Sequence, residues 1–198
     1  MKIIAVVPGG ATTQWAVPGL GQSSVQVSDD GLAVWMLWFD DVPETEWPGQ
    51  SQVYAVDERP QWTLADQVGV TRVSFLRRAA GLTRQQFGDH WRDIHAPLAK
   101  RHHPSVIRYV QNVVVAPLTP DTQEADGIAE LSFVSVEDMH ERHYDSPAGR
   151  DIIAADVRQF IDLSAGLRAL VRPVVRPVVG PVARPVGPRS GRPDSNAF

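Results

Sequence analysis

Residues 82–99, LTRQQFGDHWRDIHAPLA, constrain the fold of this chain more than any other stretch. Thr83 followed by Gln86 has the form of a capping box, and Leu82 and Phe87 occupy the two positions of a hydrophobic staple. A helix over 82–100 is therefore expected. Phe87, Trp91, Ile94 and Leu98 recur at spacings of four, three and four, which is one face of an α-helix. That face is expected to lie against a sheet, with Phe87, Trp91 and Leu98 lining any pocket between the two.

At about 100° per residue, His90 and His95 fall roughly 70° to either side of this stripe. Each stands at the boundary between buried and exposed, so a pocket beneath the helix is expected to reach one of them and not both. Pro97 lacks an N–H and its ring clashes with the carbonyl of Asp93 in a regular helix, a cost on the order of 3 kcal/mol. It also biases Ala96 away from helical dihedrals. Two outcomes are open. The helix kinks or breaks just after His95, leaving unpaired backbone groups beside an imidazole, or it ends there with His95 at its C-terminal end, where a cation is favoured.

Downstream of residue 66 the pattern reads βαββαβ. Strands are expected at 70–77, 106–115, 128–136 and 167–171, and helix 82–100 follows the first. A second helical stretch starts at Ser135 and restarts at Ser146-Pro147, a cap followed by proline at the first position. Its buried face is Ile152, Ile153, Val157, Phe160 and Ile161. This is the split βαβ order of ferredoxin-like folds. Residues 1–65 carry strand patterns at 2–7, 23–28, 32–39 and 51–57, joined by crossovers too rich in Pro and Gly for helices. They form either a degenerate half-barrel paired within the chain or a strand-rich extension. Residues 172–198 place proline at every fourth position through four repeats, which favours extended or polyproline II backbone. They are expected to be a flexible basic tail or an arm laid on a partner subunit.

Composition excludes several chemistries. The 198 residues contain no cysteine, so disulfides, thiolate metal sites and cysteine nucleophiles are ruled out. The net charge is −4, yet residues 171–198 carry five arginines and one aspartate, leaving −8 on the rest. An acidic body argues against nucleic-acid binding. The apolar start of the chain is stopped at Pro8-Gly9-Gly10, too early for a secretory leader. No apolar run reaches the ~20 residues that span a bilayer. A cytoplasmic protein without a membrane segment is expected.

All six histidines lie between residues 90 and 143, and imidazole is the side chain best suited to acid–base work near neutrality. His95 is the first candidate because it combines the stripe edge with the proline that follows. His90 ranks second. Tyr109 and Asn112, on the next strand, are candidate donors to a carbonyl or enolate oxygen. Glu137, His140 and His143 drift around a helix rather than sharing a face, and there is no His-Glu-x-x-His. No metal site is expected, and no Gly-rich phosphate loop or nucleophile elbow is present.

The run His90-Trp-Arg-Asp-Ile-His95-Ala-Pro-Leu-Ala, followed by Arg108-Tyr109-Val-Gln-Asn112, resembles the EthD family over about 70–171. The resemblance implies an α+β fold, a ferredoxin-like βαββαβ unit forming a dimeric or pseudo-dimeric α/β barrel, and it singles out His95. It implies a small homodimeric enzyme, independent of any cofactor, that uses His95 as acid or base on a hydrophobic aromatic or polyketide-like substrate. Dehydration, cyclisation and enolisation all fit such a site. Two other readings stand beside it: an oxidoreductase or accessory protein of an oxygenase system, and a non-enzymatic dimeric binding or scaffold protein that works through its tail.

Overall fold

The computed structural model describes residues 1–10, 20–41, 43, 45–47, 49–120 and 122–174. The strands are β1 (Lys2–Val7), β2 (Leu20–Ser28), β3 (Ala33–Phe39), β4 (Gln52–Thr63), β5 (Val70–Leu76), β6 (Arg108–Pro117), β7 (Gly127–Phe133) and β8 (Arg168–Pro173). They close into one antiparallel barrel in the order β1-β3-β2-β8-β5-β7-β6-β4. The helices are α1 (Arg84–His90), α2 (Ala96–His102), α3 (Val136–Glu141) and α4 (Pro147–Phe160), with a π turn at Trp91–His95 between the first two. The result is a mixed α/β fold, rich in strands and poor in helices.

Each half of the chain supplies four consecutive strands, and both quartets run fourth-first-third-second around the barrel. Two seams join them. At one, β4 pairs with β6 from Tyr54↔Pro117 to Thr63↔Arg108, with irregularities at Ala55/Val56 and Pro60/Trp62. Proline is tolerated in a strand at such an irregularity because no ladder donor is needed there. The other seam is short, Gln26↔Pro173, Val27↔Arg172 and Ser28↔Val171. Here the expected boundary at residue 172 moves, since Arg172 and Pro173 belong to β8 and Arg172 pairs with Asp29. The remainder of the predicted tail, from 175 on, lies outside the described residues.

Strand alternation sorts side chains to two faces. Inside the barrel lie Ile4, Val6, Val34, Met36, Tyr54, Val56, Val73, Phe75, Ile128 and Val171. At one end this interior turns polar: Lys2 bonds Glu58 at 2.8 Å and Glu130 at 2.6 Å. Burial raises the Glu58 pKa, but Lys2 and Trp38 donate to the carboxyl and hold it below its ordinary value. The outer face of β1 and β3 is buried as well, through Ile3, Ala5, Trp35 and Leu37. The outer face of β5 to β8 is where α1, the π turn, α2 and α4 pack. Their contact is Phe87, Trp91, Ala99, Tyr109, Leu131, Phe133 and Phe160. Among the described residues, every α-helix belongs to this half, and no helix is long and apolar enough to cross a membrane.

Candidate active site

The helix begins as its sequence requires. Thr83 accepts from the Gln86 amide at 3.1 Å and the Gln86 side chain accepts from the Thr83 amide at 2.9 Å. Beyond Trp91 the expected register fails. Ile94, placed on the buried stripe by spacing, is 49% exposed, and the inward face continues through His95, Ala96, Ala99 and His102 instead. The cause is the π turn, closed by a bond from the Ala96 amide to the Trp91 carbonyl, five residues back. A π turn holds one residue more than an α turn, so later positions are rotated by about one residue, roughly 100°. Pro97 therefore produces neither a break nor an ending. It sits in the first turn of α2, where its missing N–H costs least, and Ala96 stays helical at φ −60°, ψ −43°. Gln111 donates a second bond to the Trp91 carbonyl at 2.8 Å, and Gly127 makes room for the indole. A Cβ there would lie 2.5 Å from Trp91 Cζ3.

The rotation overturns the expectation that His90 and His95 diverge. His90 Nε2 and His95 Nδ1 bond the two oxygens of one carboxylate, that of Asp156 on α4, at 2.8 and 2.7 Å. Asp156 is 4% exposed. Burial raises its pKa, but hydrogen bonds from His95 and His90 outweigh that and keep the carboxyl below its ordinary value. Phe160 closes the group from one side, stacked on the His90 ring at 4.6 Å between centroids and tilted against His95 at 5.2 Å. With Nδ1 committed to Asp156, His95 has Nε2 left for other work.

A cavity of about 260 Å³ lies between these helices and the sheet, and His95 is in its wall. Trp91, Leu76, Ala129, Leu131, Ile153 and Val157 give it apolar sides, and Tyr109 stands among them. The Tyr109 hydroxyl accepts from Trp91 Nε1 at 2.7 Å and from Gln111 Nε2 at 3.4 Å. Burial raises its pKa, so the phenol keeps its proton and remains a donor. A wider groove of about 580 Å³, lined by Met139, His140 and Leu170, shares Arg72, His143, Tyr144 and Arg168 with the cavity.

Of the residues singled out from sequence, His95, Tyr109 and Trp91 come together at this cavity. His90 reaches the same carboxylate without lining the cavity. Phe87 lies behind Trp91, 5.4 Å between ring centroids, and Leu98 is only partly buried; neither is among the lining residues. Asn112 is on the opposite face of β6. It donates to Ile128 O at 2.9 Å and Glu130 Oε1 at 2.8 Å, inside the barrel and away from His95, because strand neighbours three apart point to opposite faces.

Sequence reasoning missed Asp156, Arg72 and the His103–His143 pair. Asp156 carried a signal, a carboxylate on the apolar face formed by Ile153, Val157 and Phe160. Ile152, assigned to that face, is 43% exposed. His103 Nδ1 donates to the His143 carbonyl at 2.8 Å, and the two rings stack at 4.3 Å. Burial pushes the His143 pKa down to about 3, helped by the nearby Arg72 and His103. The His103 pKa falls to about 4, again chiefly by burial. Both are neutral near pH 7. Among the described residues, no group of three or more histidines and carboxylates is arranged to hold a metal ion.

The chain is thus a mixed α/β protein, a closed barrel with helices on one flank and a carboxylate-held histidine in a helix–sheet cavity. Residues 79–164 match the model of the EthD domain family. A crystal structure of an anthrone oxidase-like protein superimposes with a TM-score of 0.61, covering 88% of this chain and 91% of that one at 10% identity. At that identity the likeness is one of fold. A "Putative monooxygenase" from Fusobacterium nucleatum subsp. nucleatum aligns at a TM-score of 0.49 and 8% identity, over 87% of this chain and 92% of that one. No curated protein matches the chain.

Proposed function

We propose that this protein is a small enzyme in which His95, oriented by Asp156, moves a proton on a hydrophobic, aromatic or polyketide-like substrate held in the helix–sheet cavity. The observation that carries this reading is the bond between His95 Nδ1 and Asp156 at 2.7 Å in the wall of an apolar cavity. A carboxylate on one ring nitrogen fixes the imidazole's orientation and stabilises the imidazolium formed when the other nitrogen takes a proton. The Tyr109 phenol supplies a donor for the enolate oxygen that results. Enolisation, dehydration and cyclisation all begin with that proton transfer, and none requires a bound cofactor. The shared fourth-first-third-second order of the two quartets supports a pseudo-dimeric barrel of two ferredoxin-like units. The cavity at His95 weighs against a purely structural scaffold, which needs none.

The test is solvent deuterium exchange at an acidic CH of an anthrone or aryl β-diketone, followed by NMR. Exchange is expected with the native protein and not with His95→Ala. Equal exchange in the folded variant would remove His95 from the mechanism.

A second reading, favoured by the fold shared with an anthrone oxidase-like protein, uses the same carbanion. Attack on dioxygen would convert an activated CH2 to a ketone with release of one water, so that O2 supplies both the ketone and the water oxygen. Oxygen uptake that tracks substrate consumption distinguishes it from the proton-transfer reading.

A further inference from the structure

The cavity wall carries Arg72, Arg158 and Arg168 and no carboxylate, in a chain whose net charge is −4. None of the three makes an ion pair among the described residues, and Asp156, the carboxylate held by His95, is committed to two histidines. Arg72 is the most enclosed of them. One terminal nitrogen lies 3.2 Å from His143 Nε2, while its Nε is buried with no hydrogen-bond partner among the described residues. Because arginine can only donate, His143 Nε2 is the acceptor in this contact and its proton sits on Nδ1. That Nδ1 is also buried and unpartnered. Two adjoining residues of one cavity wall thus hold orphaned donors, an arrangement that is costly unless an acceptor occupies the site.

We infer that the cavity takes an organic carboxylate, its anionic oxygens seated on Arg72 and the His143 N–H, with Arg168 at the mouth and the apolar body directed along Trp91 towards His95. This rests on the proposed acid–base reading of the same cavity and names its substrate class as aromatic acids rather than neutral aromatics. A guanidinium presents a planar fork matched to the two oxygens of a carboxylate. His143 favours this role because it is neutral. It accepts from Arg72 without adding charge, and it fixes the plane of the guanidinium. Burial and the adjacent Arg168 disfavour the charged form of Arg72, which an incoming anion would relieve.

Binding of 2-naphthoate and of its neutral isostere 2-naphthamide, measured by calorimetry at pH 7.5, tests the inference. The native protein is expected to prefer naphthoate at least tenfold, and added salt should narrow the gap. Arg72→Gln should abolish the preference, Arg168→Gln should reduce it, and Arg72→Lys should keep part of it by retaining charge without the fork. Equal binding of the two probes, no naphthoate binding at millimolar concentration, or a preference that survives in Arg72→Gln would each overturn it. The comparison of probes on the native protein stands even if Arg72→Gln fails to fold. His95→Ala should keep the naphthoate preference while losing proton exchange. A naphthoate preference without any proton exchange in the native protein, on a carboxylate-bearing aryl β-diketone as well as on the neutral one, would sink the catalytic reading and leave the anion site, and the converse would do the reverse.

Discussion

His90 and His95 share a carboxylate, whereas His103 and His143 stack on each other beside a guanidinium. His95 from the first pair and both members of the second line the same cavity, and the residues are of one type, yet their surroundings give them different duties. The Asp156 pair has a counter-ion to stabilise positive charge on a ring, as an acid–base catalyst requires. The Arg72 pair is kept neutral to about pH 4 and about pH 3 by burial and a neighbouring cation. It serves as hydrogen-bonding structure at neutral pH. Clustered histidines are therefore not evidence of a common site until the charge facing each ring is known.

Activity offers the widest separation between the two pairs. General acid–base groups contribute about 10²–10⁴-fold, so His95→Ala should lower turnover of a CH-acid substrate by that order. His103→Gln should act through stability and substrate affinity, leaving the rate of the proton-transfer step within about tenfold. A loss of proton transfer in His103→Gln as deep as that in His95→Ala, in a folded protein, would erase the distinction.

Asp156→Asn is next in size. It keeps the shape but removes the charge that both rings face. The expected outcome is a loss of about 1–3 kcal/mol in folding stability, the cost of disturbing a buried hydrogen-bonded group. A fall in the proton-transfer rate at unchanged substrate affinity should accompany it. Chemical denaturation and single-turnover exchange check the two effects separately. A variant as stable and as fast as the native protein would reduce the shared carboxylate to a bystander.

The pH dependence of stability then separates the pairs by window. In the unfolded chain a histidine binds its proton below about pH 6.5, whereas in the folded protein His103 and His143 do so only near pH 4 and pH 3. The unfolded state thus holds more protons between these limits, and stability falls as pH drops from about 6.5, by up to about 1.4 kcal/mol per unit for each histidine. Asp156, with its lowered folded pKa, contributes stability above its unfolded value of about 4 that is lost as pH falls through the folded value. Denaturation titrations from pH 7.5 to 4.5 should show a slope that shrinks in His143→Gln and persists in Asp156→Asn. A flat profile over this range would show that the Arg72 pair is not buried neutral.

Much of this architecture was legible in local signals. The capping box fixed the start of the helix, alternation located the strands of both quartets, and the confinement of the histidines to 90–143 marked the region of interest. Three features resisted. The π turn adds one residue to a helix, and a 3.6-residue period has no place for it. Asp156 lies among the apolar residues of α4, where hydrophobic spacing reads past a single carboxylate. Arg72 alternates with Thr71 and Val73 as a solvent-facing strand residue would, and only the helices packed across β5 turn that face inward. In each case a long-range contact, not local preference, decides the role.

The smallest predicted effect bears most directly on how the two pairs arise. In an unbroken α-helix, Ile94 would be buried on the stripe with Phe87 and Trp91, and truncating it would cost about 2–5 kcal/mol. With the π turn it is 49% exposed, so Ile94→Ala should lie within about 0.5 kcal/mol of the native protein. Ala99, 1% exposed, takes the place that spacing gave to Leu98. Ala99→Leu should therefore overpack the helix–sheet contact and cost about 1–3 kcal/mol. The same one-residue shift turns His95 onto Asp156 and leaves His102 and His103 beyond its reach. Equilibrium denaturation of the two variants thus reports on the register that sorts the histidines. A costly Ile94→Ala together with a tolerated Ala99→Leu would restore the regular helix and separate His95 from its carboxylate.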